Sequence, residues 1–485
     1  MRSHEAGVLH AEGYGGPPIY LPTPGDVMEL RRELWSQNAQ RDTAGRLTVA
    51  GRDVVSLAEE FGTAAYVIDE EDFRARARGF RDSLNAAFSG LAGADVYYAG
   101  KAFLCTAVAR WVLEEGLGLD VCTGGELAVA QRAGFPGERI GFHGNNKSVA
   151  ELREALSYGV GRIIVDSRQE IDRLGALAAE LGVRAPVMVR VTVGVEAHTH
   201  EFIATGHEDQ KFGFSLNGGA AFEAVQRILA APERFELLGL HSHIGSQIFD
   251  TSGFEAAAHR LVGLHIRVAE ELAYHCPEIN LGGGYGIAYT TAHDPLPVDR
   301  LGVELAGILT RELTALGDGH GALDQVAQVT QVPRVAIEPG RAIVGPSMFT
   351  LYEVGTVKEV TLGDRRSRTY VSVDGGMSDN ARPALYEADY SCTLANRHSD
   401  APPMLSRVVG RHCESGDIVV LDEWLPSDLT PGDLIAVPGT GAYCRALSSQ
   451  YNHTPRPPVI AVRGGHARVI VRRETIEDLL ALDAD

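Results

Sequence analysis

The chain has 485 residues, of which 22% are charged and 45% hydrophobic, and its formal net charge is −20. A chain of this length exceeds a single ordinary core, so we expect two domains in a soluble protein. The excess of acid argues against nucleic acid and acidic membranes as partners, because both require basic surface. No run of about 18 apolar residues and no N-terminal signal pattern occur, which predicts a cytoplasmic protein without a membrane span.

Cysteine usage bears on metal sites and on disulfides. The six cysteines are widely spaced and include no CxxC pair. This spacing argues against a zinc site and against a disulfide framework in a protein of this size, so we predict no bound metal. We expect most of the cysteines to be small buried hydrophobic residues.

Short apolar runs alternate with amphipathic stretches between residues 70 and 343. Eight runs predict strands, namely Val96–Ala99, Gly118–Cys122, Arg139–Phe142, Arg162–Asp166, Pro186–Val193, Leu237–Ile244, Ile279–Gly282 and Arg334–Glu338. Helical patterns separate them, and a further one, Glu71–Phe88, precedes the first. This alternation predicts an α/β fold, a closed parallel (β/α)8 barrel of the TIM type. The alternative is an open doubly wound sheet, but no GxGxxG motif follows the first strand.

Beyond Arg341 the pattern changes to β-rich runs with turn residues between them. The predicted strands there are Phe349–Val360, Thr369–Asp374, Asp417–Leu421, Asp433–Val437, Val459–Arg463 and Ala467–Val471. These runs predict a β-rich second domain. We therefore expect an N-terminal tail and segment that pack on the β-domain (1–66), the barrel (67–343) and the β-domain (344–485).

Lys101 follows the first predicted strand and precedes a predicted helix, Phe103–Glu115. The chain has four lysines among 44 basic residues, so arginine is its ordinary cation. A lysine amine can lose its proton and attack a carbonyl, whereas a guanidinium stays charged. Lys101 is therefore a candidate Schiff-base nucleophile. The alternative is a surface lysine that caps a strand.

Polar residues and glycines recur where the other predicted strands end, and chemistry in such barrels lies at the carboxyl ends of strands. Gly282, Gly283 and Gly284 leave backbone amides open to a phosphate, unless they only form a tight turn. Arg341 follows Gly340 one strand later, and the loops after the last two strands build the phosphate site of such barrels. We predict a phosphorylated ligand.

His243 and Glu338 close two further predicted strands. The flat ring of His243 could stack on a planar cofactor, although a lone strand histidine is more often a satisfied core residue. Glu338 could pair with a ring nitrogen or, alternatively, with a neighbouring arginine. An amine, a phosphate loop, a stacking ring and a carboxylate together fit pyridoxal 5′-phosphate (PLP). Its aldehyde would condense with Lys101, and an ionised Glu338 would keep the ring nitrogen protonated.

Longer motifs carry a family resemblance that extends from about Asp53 to Val471. They are YYAGKA (97–102), HTHEFIATGHEDQKFGF (198–214), HSHIGSQ (241–247), LGGGYG (281–286), EPGR (338–341), VDGGMSDNARPALY (373–386), CESGD (413–417) and GTGAYCRALSSQYN (439–452). On these motifs the chain resembles the diaminopimelate decarboxylase family of fold-type III PLP enzymes, which also include alanine racemase. The resemblance implies PLP as cofactor and a homodimer whose subunits share active sites.

The resemblance also implies a role for each matching residue around the cofactor. Lys101 would bind the cofactor covalently, His243 would stack on its ring, and Glu338 would face the ring nitrogen. The remaining cofactor contacts would come from Ser246, Gly283, Gly284, Gly340, Arg341 and Tyr443.

Substrate contacts follow from the same resemblance. Cys413 would donate a proton near the reacting carbon, with Lys101 as the alternative donor, and Glu414 would bind the distal ammonium. Cys413 and Glu414 would both come from the second subunit. The distal carboxylate of the substrate would be held by Arg341, Arg382 and Tyr386, with Tyr443 closing over the site.

The implied reaction is the decarboxylation of meso-2,6-diaminoheptanedioate (meso-diaminopimelate) to L-lysine and CO2, the last step of lysine biosynthesis. A distal amino-acid head needs cations for its carboxylate and an anion for its ammonium, and Arg341, Arg382 and Glu414 supply them. An ornithine- or arginine-type decarboxylase of the same fold is the nearest alternative. An amino-acid racemase would need a second base opposite the lysine, and a non-catalytic PLP carrier would lack the second domain.

Overall fold

The structure is a computed structural model that describes residues 17–18, 20–195, 210–317, 332–363 and 366–484. The chain divides into two compact units. One unit contains 74–286 and 295–342, and the other contains 1–73, 287–294 and 343–485. Within the described ranges, no helix combines the length and the apolar character that crossing a bilayer requires.

The first unit is built around a closed barrel of eight parallel strands. The strands are Ala94–Ala99, Gly118–Val121, Ile140–Phe142, Arg162–Val165, Ala185–Thr192, Phe235–His241, Glu278–Asn280 and Arg334–Ile337. Each pairs with the next along the chain, and the eighth pairs with the first through Val335 and Ala94, which closes the barrel. The predicted fold class is confirmed.

Helices follow the barrel strands along the chain. Their bounds are Thr106–Glu114, Gly124–Ala133, Val149–Tyr158, Arg168–Leu181, Ala220–Leu229, Ser252–Leu272 and Val298–Gly317, and Glu70–Ala87 precedes the first strand. The side chains of Thr123, Ser148 and Ser167 each accept a bond from a first-turn amide and so fix three helix starts. The strands end up to three residues earlier than predicted, so the candidate site residues lie in loops just beyond them.

The second unit contains a mixed sheet of nine strands. They are Ala65–Asp69, Met348–Gly363, Arg366–Val373, Thr393–Leu394, Pro403–Val409, Ile418–Pro426, Leu434–Pro438, Val459–Arg463 and His466–Val471. Ala65–Asp69 lies inside this sheet, antiparallel to Met348–Gly363 and parallel to Val459–Arg463. The sequence analysis did not identify this strand, or Thr393–Leu394 and Pro403–Val409.

The N-terminal segment shares a hydrophobic core with this sheet. Short strands Ala39–Arg41, Leu47–Val49 and Arg52–Asp53 form a separate antiparallel sheet, followed by helix Val54–Phe61. Buried Trp35 from this segment lies against Phe349 of the large sheet, with ring centroids 5.8 Å apart.

Asp379 is a buried acid of the second unit, and its titration should be visible in stability. The hydroxyl of Tyr352 and the amide of Gly376 donate to its carboxyl group. Burial nevertheless raises the pKa of Asp379 to about 7. The folded chain therefore binds this proton more tightly than the unfolded chain does, so the free energy of unfolding should fall between about pH 4 and about pH 7.

We expect Asp379→Asn to remove that fall, which corresponds to about 4 kcal/mol for the shift in pKa. The measurement is urea unfolding at pH 4 and pH 8 for both proteins. Asp400→Asn, at an acid whose side chain is 95% exposed, is the control and should keep the wild-type pH dependence. An Asp379→Asn protein with the wild-type pH dependence would contradict the assignment.

Candidate active site

Glu338 lies immediately beyond the eighth barrel strand and is 6% exposed. Its Oε1 accepts a hydrogen bond of 2.9 Å from Asn280 Nδ2, at the end of the seventh strand. The Nε2 atoms of His241 and His143 lie 2.9 Å and 3.5 Å from the same oxygen. Residues from three other strand ends thus converge on one carboxylate oxygen.

The two buried carboxyl groups in this cluster have opposite pKa shifts. Burial raises the pKa of Glu338, but its interactions with neighbouring groups, above all with His241, outweigh burial and hold it well below its ordinary value. Burial and the charge of Glu338 raise the pKa of Asp120 well above its ordinary value. Near neutral pH Glu338 is therefore ionised, whereas the surroundings of Asp120 favour its protonated form.

His143, His241 and Glu338 also form a set that could hold a metal ion, because their ligand atoms lie within 4.8 Å of one another. The sequence analysis assigned no role to either histidine, since no local spacing links them. Burial lowers the pKa of His143 well below its ordinary value, so its imidazole is neutral. The amine and the phosphate loop at the same barrel end favour an organic cofactor over a metal.

His243 is oriented by the glycine loop after the seventh strand. The amide of Gly283 donates to His243 Nδ1 over 3.1 Å, so that nitrogen carries no proton. Burial, and then the charge of Lys101, lower the pKa of His243 well below its ordinary value. The imidazole is therefore neutral and protonated on Nε2, a state suited to packing against a flat ring.

The three consecutive glycines let two strand-end loops pack against each other. A Cβ on Gly283 would lie 2.3 Å from the carbonyl oxygen of Glu338. Gly284 has φ +111°, and a Cβ there would lie 2.5 Å from the carbonyl oxygen of Gly245. A backbone bridge between Ile248 and Tyr285 joins the same loops. Close packing is a second reason for glycine here, beside the predicted approach of a phosphate.

Arg341 and Ser246 meet at this end of the barrel. Arg341 is 6% exposed, and its Nη2 donates to Ser246 Oγ over 2.8 Å. A Cβ on Gly340 would lie 2.9 Å from the carbonyl oxygen of Ala99, so the turn before Arg341 is packed against the first strand. The predicted phosphate residues of the barrel are therefore brought together.

Lys101 lies in a short 3-10 turn, Gly100–Ala102, directly after the first strand, and its side chain is exposed. Its charge acts on Asp120, Cys122 and His243, so it belongs to the same electrostatic cluster. Burial raises the pKa of Cys122 to about 12, which keeps that thiol protonated. The predicted nucleophile Lys101 is therefore placed at the same end of the barrel as Glu338 and His243.

Lys147 anchors the loop that carries His143. This lysine is 2% exposed, and its Nζ donates to Gly144 O, Ile164 O and Glu170 Oε1, each over 2.7 Å. Lys147→Met would leave Glu170 buried without its cation, so we expect the free energy of unfolding to fall by about 3–5 kcal/mol. Urea unfolding measures the change.

The matched control is Arg153→Met, because Arg153 pairs with Glu180 at the surface, where an ion pair contributes about 1 kcal/mol or less. Equal losses in the Lys147 and Arg153 variants would contradict a buried anchoring role.

The remaining predicted site residues lie in the second unit. Arg382 begins the helix Arg382–Tyr386 and is 4% exposed, and no carboxylate of the described chain lies within 4.0 Å of its guanidinium. Tyr386 and Tyr443 are half-buried, and Tyr443 has φ +65°, which is uncommon outside glycine.

Cys413 and Glu414 lie in a loop of the second unit that two polar side chains hold. The buried carboxylate of Asp417 accepts the amide of His412 over 2.7 Å, and Asn452 Oδ1 accepts the amide of Cys413 over 3.4 Å. The thiol of Cys413 is exposed, and Glu414 is half-buried. The first twelve residues of the 198–214 motif lie outside the described residues.

Comparison with known proteins identifies the family. Residues 72–345 match the family model described as pyridoxal-dependent decarboxylase, pyridoxal binding domain. Diaminopimelate decarboxylase of Mycobacterium leprae is 52% identical over 100% of both chains. The chain belongs to the diaminopimelate decarboxylase family. The family member of Bacillus subtilis is 43% identical, over 92% of this chain and 97% of its own.

A solved family member agrees in fold. The crystal structure of diaminopimelate decarboxylase from M. jannaschii in co-complex with L-lysine has a TM-score of 0.83 and 29% identity. The match covers 93% of this chain and 98% of the other. The fold match therefore extends over both units.

The barrel residues fit the PLP cofactor of this family. Glu338 is an ionised acceptor for a protonated ring nitrogen, and His243 is a neutral ring with a fixed orientation. Ser246 and Arg341 meet beside the glycine loop, where an anionic phosphate finds donors. Lys101 supplies the amine that the aldehyde requires.

Proposed function

We propose that this protein decarboxylates meso-diaminopimelate to L-lysine and CO2, the last step of lysine biosynthesis, with PLP as cofactor. The observation that carries the choice of substrate is the buried guanidinium of Arg382, which has no carboxylate partner among the described residues. A substrate with a carboxylate at its far end supplies the missing charge. Ornithine and arginine, whose far ends are cationic, would leave it uncompensated.

Bound PLP supplies an aldehyde that condenses with amines and a ring that accepts electrons from the carbon losing CO2. We assign Lys101 as the covalent attachment point and His243 as the ring that covers the cofactor. The charge of Glu338 stabilises a proton on the ring nitrogen, and Asn280 holds that carboxylate in place. The other cofactor contacts are assigned to Ser246, Gly283, Gly284, Gly340, Arg341 and Tyr443.

The substrate contacts extend the same proposal. Glu414 binds the distal ammonium, and the thiol of Cys413 returns a proton to the carbon that has lost its carboxylate. The distal carboxylate is bound by Arg341, Arg382, Tyr386 and Tyr443. We further propose a cytoplasmic homodimer in which Cys413 of the partner subunit and Glu414 of the partner subunit complete each active site.

The experiment is a comparison of substrates with the purified, PLP-loaded protein. We expect CO2 and L-lysine in equal amounts from meso-diaminopimelate, and at least about 100-fold lower kcat/KM with ornithine or arginine, because a buried unpaired charge is costly. Deuterium exchange without CO2 release would indicate a racemase instead. Equal kcat/KM for ornithine would contradict the substrate assignment.

Glu414→Ala tests the distal ammonium site. A hydrogen bond to a charged group contributes about 1.5–3 kcal/mol, so we expect KM for meso-diaminopimelate to rise about 10- to 100-fold. The control is Glu387→Ala, at an exposed glutamate just after the helix Arg382–Tyr386. Unchanged kinetics in Glu414→Ala would refute its assignment.

A further inference from the structure

Arg382 is held between two aromatic rings of its own unit. Its Cζ lies 4.4 Å from the ring centroid of Tyr289 and 5.4 Å from that of Tyr390. The two rings meet edge to face, with centroids 5.0 Å apart. Guanidinium groups stack well on aromatic faces, because the ring quadrupole attracts the cation while the planar surfaces pack. We call Tyr289 and Tyr390 the Arg382 clamp.

The clamp also fixes the rotation of the guanidinium. Nη1 of Arg382 donates to the hydroxyl of Tyr390. Burial raises the pKa of Tyr390 well above its ordinary value, so this acceptor is a neutral phenol. The Sγ of Cys444 lies 3.5 Å from the same hydroxyl and 3.4 Å from Asn380 Oδ1. Arg382 and Cys444 therefore contact the same phenol oxygen, and Asn380 contacts Cys444 in turn.

Residues of the GTGAYC segment (439–444) pack against both tyrosines of the Arg382 clamp. Gly439 has φ +74°, and a Cβ there would lie 3.2 Å from the Tyr289 ring. Cys444 of the same segment supports the Tyr390 hydroxyl. Only Tyr443 of this segment has a place in the proposed reaction, so the clamp accounts for residues that the reaction leaves unexplained.

The clamp orients Arg382 and leaves its charge uncompensated. Every described partner is a neutral ring, hydroxyl or amide, and Arg382 Nε is buried with no hydrogen-bond partner in the described chain. An acid in the clamp would neutralise the cation, whereas an aliphatic side chain would let it rotate. The charge of a buried cation held in this way is compensated only when a ligand brings an anion.

We propose that Tyr390, together with Tyr289, is a positioning residue that aims Arg382 at the distal carboxylate of the substrate. This inference rests on the proposed function and deepens it, because it names neutral aromatic residues as determinants of specificity for a dicarboxylate.

A comparison of how tightly L-lysine and D-lysine bind distinguishes this positioning role from a general effect on stability. The product is L-lysine, so CO2 leaves from the D centre and the L centre is the far end. L-lysine keeps the far carboxylate, whereas D-lysine keeps the reacting centre and has only an ammonium at its far end. Arg382 should therefore contribute to binding of L-lysine and not of D-lysine.

The test is Tyr390→Phe in the PLP-loaded protein. We expect KM for meso-diaminopimelate and the inhibition constant of L-lysine to rise about tenfold, as for loss of one charge-assisted hydrogen bond. The kcat value and the inhibition constant of D-lysine should stay within about threefold. Tyr158→Phe is the control, because its hydroxyl bonds Phe135 O at 2.7 Å in the barrel unit.

The outcomes are distinguishable. If Tyr390→Phe binds L-lysine as tightly as wild type, or weakens D-lysine equally, the inference is wrong. If Tyr390→Phe has a lowered unfolding midpoint, the test is repeated with Tyr289→Leu, which removes the other ring. The same rises in KM and in the inhibition constant of L-lysine are expected for that variant. A wild type that releases no CO2 from meso-diaminopimelate would overturn the proposed function instead.

Discussion

Lys101→Ala is expected to lower kcat for meso-diaminopimelate by about 10⁴-fold or more, because it removes the proposed covalent attachment point of the cofactor. Two of the other three lysines are unsuited to replace it. The amine of Lys147 is held in a buried ion pair with Glu170, and Lys358 is exposed on a strand of the second unit. The measurement is CO2 release with PLP in excess.

Lys101→Arg separates nucleophilicity from charge. Arginine keeps a cation near Asp120 and His243 but offers no deprotonated amine at neutral pH. We therefore expect it to be as inactive as the alanine variant, while Lys358→Ala keeps wild-type activity. Substantial turnover by Lys101→Arg would mean that the lysine contributes only charge.

The second large effect is expected from Glu338→Gln, which keeps the shape of the side chain and removes its charge. Loss of an ionised partner from a buried charge pair costs about 3–5 kcal/mol, which corresponds to about 10²- to 10⁴-fold in kcat. The physical reason is that a neutral amide no longer stabilises the proton on the cofactor ring, so the ring accepts electrons less well. Steady-state kinetics with saturating PLP measures the loss.

Asp120→Asn is the matched control for Glu338→Gln. Asp120 lies in the same cluster, but burial, and then the charge of Glu338, raise its pKa well above the ordinary value, which favours its neutral form. Because the negative charge of the cluster is assigned to Glu338, replacing Asp120 by an amide should change kcat less than about tenfold, within the cost of one altered hydrogen bond. Equal losses in the two variants would contradict the assignment of the negative charge to Glu338.

The barrel was predictable because its strands are buried on both faces and form separate apolar runs. All eight predicted strands are present, and their ends brought His243, Glu338 and the glycine loop to one end of the barrel. Parallel strands place residues that are distant in sequence side by side, so a rule about strand ends finds them.

Partners set by side-chain geometry were not predictable. Asn280 contacts Glu338 from another strand, and no sequence spacing marks such a pair. The raised pKa of Asp120 depends on burial beside a second carboxylate, which only coordinates reveal. Tyr289 and Tyr390 are similarly far apart in sequence, and each alone is an ordinary core tyrosine.

The β-domain exposed another limit of pattern analysis. Ala65–Asp69 is a short, fully buried run just before a helix, and its strand partners lie more than 270 residues away. Periodicity does not distinguish such a run from a buried stretch of another kind. Its place in the sheet depends on long-range pairing with Met348–Gly363.

Borohydride reduction of the PLP-loaded protein, followed by mass spectrometry of its peptides, tests the central claim most directly. The reduced cofactor should be found on the peptide that contains Lys101, and addition of meso-diaminopimelate before reduction should diminish it. Cofactor attached to Lys147, Lys211 or Lys358, or no covalent cofactor at all, would contradict the account.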